Sequence, residues 1–229
     1  MISNYKKIFI LFLFFLKSTN LLSQASYSVG ARMGGFWYSD LETKSYGSIE
    51  LNDMGFSFEV YGASLLRKYF LLDASFSLHS QKDWESTGDI FAYKSSLSNY
   101  HIFFTSYFLR SFLVSQKKIT PMLGFGLGIS KNTLSDITIW QKDGSQKLGI
   151  LKGDSVWELA FKFSAVLEYE LTETVAFDFR VDYKLLGSVQ SGEESEVTAI
   201  GNTALIGLKK IESENIAVTD ISFGGKYFF

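Results

Sequence analysis

The chain has two histidines, His79 and His101, and serines stand close to both: Ser77 and Ser80 beside the first, Ser98 before the second. Either imidazole could take the proton of a serine hydroxyl, with Asp73 as the carboxylate that orients the ring, and such a set does acyl transfer or hydrolysis. No nucleophile-elbow or His-x-Ser pattern accompanies them, and polar filler explains the same residues equally well. Two histidines on different segments, in a chain without cysteine, do not define a metal-ligand set. The expectation is a protein that is not an enzyme and holds no cofactor and no metal.

A larger group of charged residues has a stricter spacing. In the stretch TVAFDFRVDYKL at 174–185, Asp178, Arg180, Asp182 and Lys184 alternate with Val175, Phe177, Phe179, Val181, Tyr183 and Leu185. Residues 157–171 repeat the pattern, with Glu158, Lys162, Glu168 and Glu170 opposite Trp157, Leu159, Phe161, Phe163, Leu167 and Tyr169. A period of two places one wholly apolar and one charged face on an extended strand, which no helix can do. Weaker copies occur at 27–37 with Arg32, 54–64 with Glu59, 70–79 with Asp73 and His79, 99–109 with Asn99 and His101, 119–130 with Gly124, Gly126 and Gly128, and 217–229 with Asp220 and Lys226. That makes eight strands. Although a fifth of the chain is charged, no apolar-face position in them holds Asp, Glu, Lys or Arg.

Strands of this length exceed those of soluble sheets and match the roughly 9–11 tilted residues that cross a bilayer. Connections near 65–69, 110–118 and 171–174 are short, whereas 38–53, 80–96, 131–156 and 186–216 are long, the alternation of periplasmic turns and extracellular loops. Aromatic residues stand where strands meet the interfaces: Trp37, Trp157 and Tyr183 at the long-loop end, and Phe70, Phe108, Tyr169, Tyr227 and Phe229 at the other. A soluble up-and-down barrel also alternates, with its apolar face inward around a ligand. The aromatic placement, the glycine-lined face of 119–130 and the aromatic last residue favour the membrane form.

The whole chain of 229 residues carries a net charge of −2, no cysteine and one proline, which excludes a disulfide-stapled miniprotein, a disordered chain and a polybasic nucleic-acid binder. Residues 1–25 read as a secretory signal peptide: Lys6 and Lys7 precede the apolar run Ile8 to Leu16, and Ser23 and Ala25 suit cleavage after Ala25. Residues 26–229 are then the barrel, with a net charge of −5 once Lys6, Lys7 and Lys17 are removed.

An eight-stranded barrel is just wide enough for its side chains to fill it. Arg32, Glu59, Asp73, Glu158, Lys162, Glu168, Asp178, Arg180, Asp182, Lys184, Asp220 and Lys226 are therefore expected to form a lumenal network of ion pairs, because an isolated buried charge is costly. A narrow polar pore lined by the same residues is the alternative. The long loops hold more acids than bases, and loops on a rigid barrel are where recognition is placed. The turn Lys142-Asp143-Gly144-Ser145 between alternating runs predicts a hairpin that extends the strands above the membrane. Trp84 and Trp140 are candidate loop contacts, as are Ile200, Leu205 and Ile206 in VTAIGNTALIGL, a segment apolar for a loop and able to continue the sheet.

The last residues, SFGGKYFF, resemble the terminal strand signal read by the outer-membrane barrel assembly machinery, carried by Ser222, Gly224, Tyr227 and Phe229. The stretches VGARMGGFWYSDLE at 29–42, FEVYGASLLRKYFLLDASFSLHSQK at 58–82, LSNYHIFFTSYFL at 97–109 and KKITPMLGFGLGIS at 117–130 resemble the small outer-membrane barrels of Bacteroidota, the OmpX-like and PorT-like group. The resemblance implies an all-β fold, an eight-stranded antiparallel up-and-down transmembrane β-barrel in the bacterial outer membrane. It implies a structural or binding role, as a scaffold or an accessory subunit of an envelope complex, with the solute pore as alternative and a lipid A-modifying enzyme further behind. The expected partners are outer-membrane lipid and lipopolysaccharide, the assembly machinery and a protein at the extracellular loops, with no nucleic acid.

Overall fold

In a computed structural model of the chain, the described residues are 26–39, 41–43, 47–49, 51, 54–66, 70–87, 91–108, 119–192, 197–199, 210–213 and 216–229. The segment 1–25, expected to be a signal peptide, lies outside them. Eight long strands follow one another: β1 (Ser26–Tyr38), β2 (Gly55–Leu66), β3 (Phe70–Thr87), β4 (Phe91–Phe108), β5 (Ile119–Leu134), β6 (Asp154–Glu170), β7 (Val175–Leu185) and β8 (Ala217–Phe228). Each pairs antiparallel with the next, and β1 pairs with β8 from Ser28↔Phe228 to Tyr38↔Val218, so the sheet closes with no free edge in the barrel wall.

The apolar faces point outward. Met33, Phe56, Phe104, Leu123, Leu159, Phe163, Leu167 and Phe223 are all exposed, while Arg32, Glu59, Lys162, Asp178, Arg180 and Lys184 are buried in the lumen. This inversion of a soluble protein is stable only if hydrocarbon covers the outer wall. Interface aromatics behave accordingly: Trp157, Tyr183, Phe70, Phe108, Tyr169, Tyr227 and Phe229 are exposed, and Trp37 is half-buried. The short turn Leu171 to Thr174 is closed by Thr172, whose hydroxyl accepts from the amides of Thr174 and Val175.

At the long-loop end the strands run further than the alternation suggested. The connection expected at 80–96 is mostly strand, since β3 and β4 have 18 residues each. The apolar parity changes sides there. In the belt Phe76 and Leu78 face out, but beyond the bulge between His79 and Lys82 the buried residues are Trp84, Tyr93 and Leu97. Water replaces lipid outside the wall at this level, so apolar side chains turn inward, and a search for one parity per strand stops too early. The expected hairpin is present as Ile137–Gln141 and Lys147–Leu151. Gly144 sits in its turn at φ 72°, and the Gly144 amide donates to Gln141 O at 2.8 Å. The hairpin continues the sheet beside β4, and Val197–Ala199 adds a further strand.

Candidate functional site

The lumen is built in three layers. At the short-turn end Tyr61, Ala63, Leu71, Tyr107, Met122 and Val166 form one apolar cluster. At the long-loop end Phe36, Leu97, Phe103 and Ala160 of the wall join Trp84, Ile137, Ile139, Leu148, Leu151, Leu186, Ile211 and Ile216 in a larger one. Most of the charges lie between, with the pair Lys226 and Glu168 on the short-turn side of Val166. Arg32 is the hub, its Nη1 at 2.6 Å from Glu59 Oε1 and its Nε at 2.6 Å from Asp178 Oδ1. Arg180 reaches Glu59 at 3.1 Å, Asp73 at 3.3 Å and Asp182 at 3.8 Å, while Lys162 stands 3.9 Å from Glu59. Lys184 holds Asp220 at 2.9 Å, and Lys226 pairs with Glu168.

Strand register explains this geometry. Lys162 lies directly opposite Lys184, Glu168 opposite Asp178, and Asp182 opposite Asp220, all like-charged neighbours that repel. Arg32 on β1 instead faces Glu59 directly opposite it on β2 and reaches past β8 to Asp178 on β7, while Arg180 on β7 crosses the lumen to Glu59 on β2 and Asp73 on β3. Aromatic rings from the flanking layers cover the cations: Tyr61 lies 3.4 Å from the Arg32 guanidinium carbon, Tyr107 5.2 Å from that of Arg180, and Phe103 5.1 Å from Lys162 Nζ. Glycine makes the space: a Cβ on Gly124 would lie 2.6 Å from the Tyr107 ring, and one on Gly126 2.8 Å from Thr105 Oγ1.

Of the twelve charged residues expected in the lumen, eleven are buried there. Glu158 is half-buried at the rim, where it accepts from the Ser188 hydroxyl. The candidate catalytic groups are neighbours, but each is engaged by other partners. His79 Nε2 meets Asp220 Oδ2 at 3.2 Å, and its ring stacks on Phe36 at 4.2 Å. His101 Nε2 lies 3.3 Å from Lys184 Nζ. Ser77 donates to Glu59 at 2.7 Å, Ser80 Oγ accepts from the Phe56 amide, and Asp73 is engaged by Arg180. Among the described residues no group of three or more His, Cys, Asp and Glu could hold a metal ion.

The loop contacts divide. Trp84 is 3% exposed in the upper apolar cluster, which corrects the expectation that it meets a partner. On the upper stretch of β3, where water replaces lipid, the indole packs inward and helps seal the barrel mouth. Trp140 is half-buried on the hairpin, and Ile200, Leu205 and Ile206 lie outside the described residues. In the hairpin turn the Ser145 hydroxyl and amide hold the Asp143 carboxyl below the usual carboxylate range.

In the terminal motif Ser222 is buried, Tyr227 and Phe229 are exposed, and Gly224 touches the hub: a Cβ there would lie 2.4 Å from Arg32 Cγ. The signal that could have shown this was available, because Arg32 and Gly224 fall opposite each other once β1 and β8 are joined in register. The apolar layers had no comparable signal, since their members alternate singly with charged positions or sit in loops.

No protein-family model matches the chain, and no curated protein matches it. Solved structures do. Neisserial surface protein A aligns at 15% identity over 90% of this chain and 99% of its own, with a TM-score of 0.54. A major outer membrane protein of Thermus thermophilus aligns at 16% identity over 90% and 99%, also with a TM-score of 0.54. OprG of Pseudomonas aeruginosa aligns at 17% identity over 88% and 95%, with a TM-score of 0.53. At such identities the likeness concerns the fold. The closed ring of strands, its lipid-facing belt and this shared architecture together make the chain an eight-stranded outer-membrane β-barrel.

Proposed function

We propose that the protein is a closed barrel, neither channel nor enzyme, that anchors the sheet built by its long loops as a scaffold or as an accessory subunit of an envelope complex. The single observation that carries this reading is the three-layered lumen. A solute pore needs a continuous polar path, whereas here two apolar clusters interrupt the charged groups of the lumen. A serine hydrolase needs a hydroxyl hydrogen-bonded to its base, whereas Ser77 donates its hydrogen bond to Glu59.

Residues 1–25 act as the export signal, and Ser222, Gly224, Tyr227 and Phe229 present the last strand to the barrel assembly machinery. The resemblance to the OmpX-like and PorT-like barrels of Bacteroidota supports the accessory role. Lipopolysaccharide surrounds the outer wall, and a protein partner engages the loop sheet, with Trp140 as its half-buried aromatic.

Planar-bilayer recording of the purified barrel tests the closed lumen. The expected trace has no reproducible single-channel steps. Stable steps from the wild-type protein would overturn the scaffold reading in favour of a small polar solute pore.

A further inference from the structure

Lys131 is an exception in the outer wall. Below the level of the long loops, it is the one charged side chain among the described residues that the eight strands turn outward. Strand register sets it between Tyr100 of β4 and Trp157 of β6, which lie directly opposite it on either side. Its Nζ stands 5.6 Å from the Tyr100 ring centroid, and the Tyr100 and Trp157 rings meet edge to face at 5.6 Å. No carboxylate pairs with it among the described residues. Asp154, the acid that opens β6, is held by the Ser155 amide and by Gln190 Nε2.

The rows above and below are just as ordered. One step toward the loops, Ser98, Thr133 and Ser155 stand opposite one another on the same outward face. Thr133 Oγ1 and Ser155 Oγ lie 2.9 Å apart, so one hydroxyl hydrogen is spent between them and the other is free to donate outward. One step toward the membrane, Ile102, Ile129 and Leu159 form an aliphatic row, all exposed. From the loops inward the wall therefore presents hydroxyls, then a cation between two aromatic rings, then aliphatic side chains.

We propose that this three-row patch binds the phosphate of an anionic lipid headgroup in the leaflet on the long-loop side. Lys131 supplies the charge, the hydroxyl row donates to the phosphate oxygens, and the Ile102, Ile129 and Leu159 row carries the acyl chain. A cation turned toward lipid is tolerable at the interface and costly deeper, so its height in the wall suits a headgroup. The aliphatic row selects a lipid over free phosphate, because a soluble anion gains nothing from it. The inference rests on the membrane placement and deepens the expected contact with outer-membrane lipid.

The test reconstitutes the mature barrel in phosphatidylcholine vesicles and measures quenching of its tryptophans by brominated-chain phosphatidic acid or brominated-chain phosphatidylcholine at equal fractions. One lysine near a charged membrane surface contributes enough for about a fivefold preference for phosphatidic acid at low salt. That preference should fall to near parity in Lys131→Gln and persist in Lys131→Arg, which keeps the charge. Equal binding of the two lipids by the wild type, or an undiminished preference in Lys131→Gln, would overturn the proposal. Displacement by inorganic phosphate in the buffer would reassign the patch to a soluble anion. A barrel that fails to enter vesicles at all would refute the membrane placement instead, an outcome separable from these.

Discussion

Replacing Arg32 by methionine keeps an apolar stem of similar length and removes the guanidinium. Two charge-assisted contacts at 2.6 Å disappear, to Glu59 and to Asp178. Glu59 keeps Arg180, Lys162 and Ser77, whereas Asp178 keeps the Tyr61 hydroxyl at 2.8 Å as its hydrogen bond. The cost therefore falls mainly on Asp178, a carboxylate 2% exposed. Hydrogen bonds to charged groups contribute about 1.5–3 kcal/mol each, and breaking a buried ion pair costs about 3–5 kcal/mol, so a loss of about 4 kcal/mol is expected. Urea unfolding in phosphatidylcholine vesicles reads it out. With a slope of about 2 kcal/mol per molar, the midpoint should fall by about 2 M. The double variant Arg32→Met/Asp178→Leu should recover part of that loss, because it removes the stranded charge along with its partner. A midpoint shift under about 0.5 M for Arg32→Met, or a double variant as unstable as the sum of the singles, would refute the argument that lumenal pairing holds the barrel.

Four further substitutions, in two pairs, probe the mouth and the walls. Trp84→Ala should cost the loop sheet about 3–5 kcal/mol, seen as faster protease cleavage of the long loops while the barrel keeps its compact mobility on unheated gels. Trp140→Ala, at a half-buried position, should cost less than half as much, and equal effects would contradict the assignment of Trp84 to the upper cluster. A Cβ on Gly128 would lie 2.1 Å from the Ile102 carbonyl oxygen, so Gly128→Val should destabilise by about 3 kcal/mol and lower the yield of folded barrel. Gly225→Ala, where the nearest atom is 3.6 Å away on the Phe177 ring, should leave that yield unchanged.

Much of the wall was legible because the bilayer imposes a simple rule: in the belt every second residue must be apolar, and the 174–185 stretch obeys it without exception. The rule fails where lipid ends. Trp84 keeps the parity of Phe76 and Leu78 but is turned inward by the bulge, and Tyr93 and Leu97 take the parity opposite to Ile102 and Phe104, so a lipid-facing pattern assigns their stretch to a loop. The charged residues of the lumen were legible as a set, whereas their partners were not. Some cross-strand neighbours, such as Lys162 and Lys184, share a sign while Arg32 and Glu59 do not, and other partners lie at separations of 146 residues for Arg32 and Asp178 or 121 for Arg180 and Glu59. The glycines of β5 signalled crowding, though which rings would fill the space depended on register with β4.

Because several cross-strand neighbours repel and many of the opposite charges that meet lie far apart in the chain, the ion-pair network also bears on how the chain assembles. Arg32, on the first strand, finds Asp178 on the seventh, and Lys184 finds Asp220 on the eighth. A half-built sheet entering the bilayer would carry rows of like charge with no partner and an open edge besides, both prohibitive in hydrocarbon. The lumenal ion pairs are thus mostly nonlocal, which slows folding and makes closure nearly all-or-none. The joining of β1 to β8 acts as a latch: insertion becomes favourable only as the last strand arrives, and the finished barrel has no low-cost way to open one strand at a time.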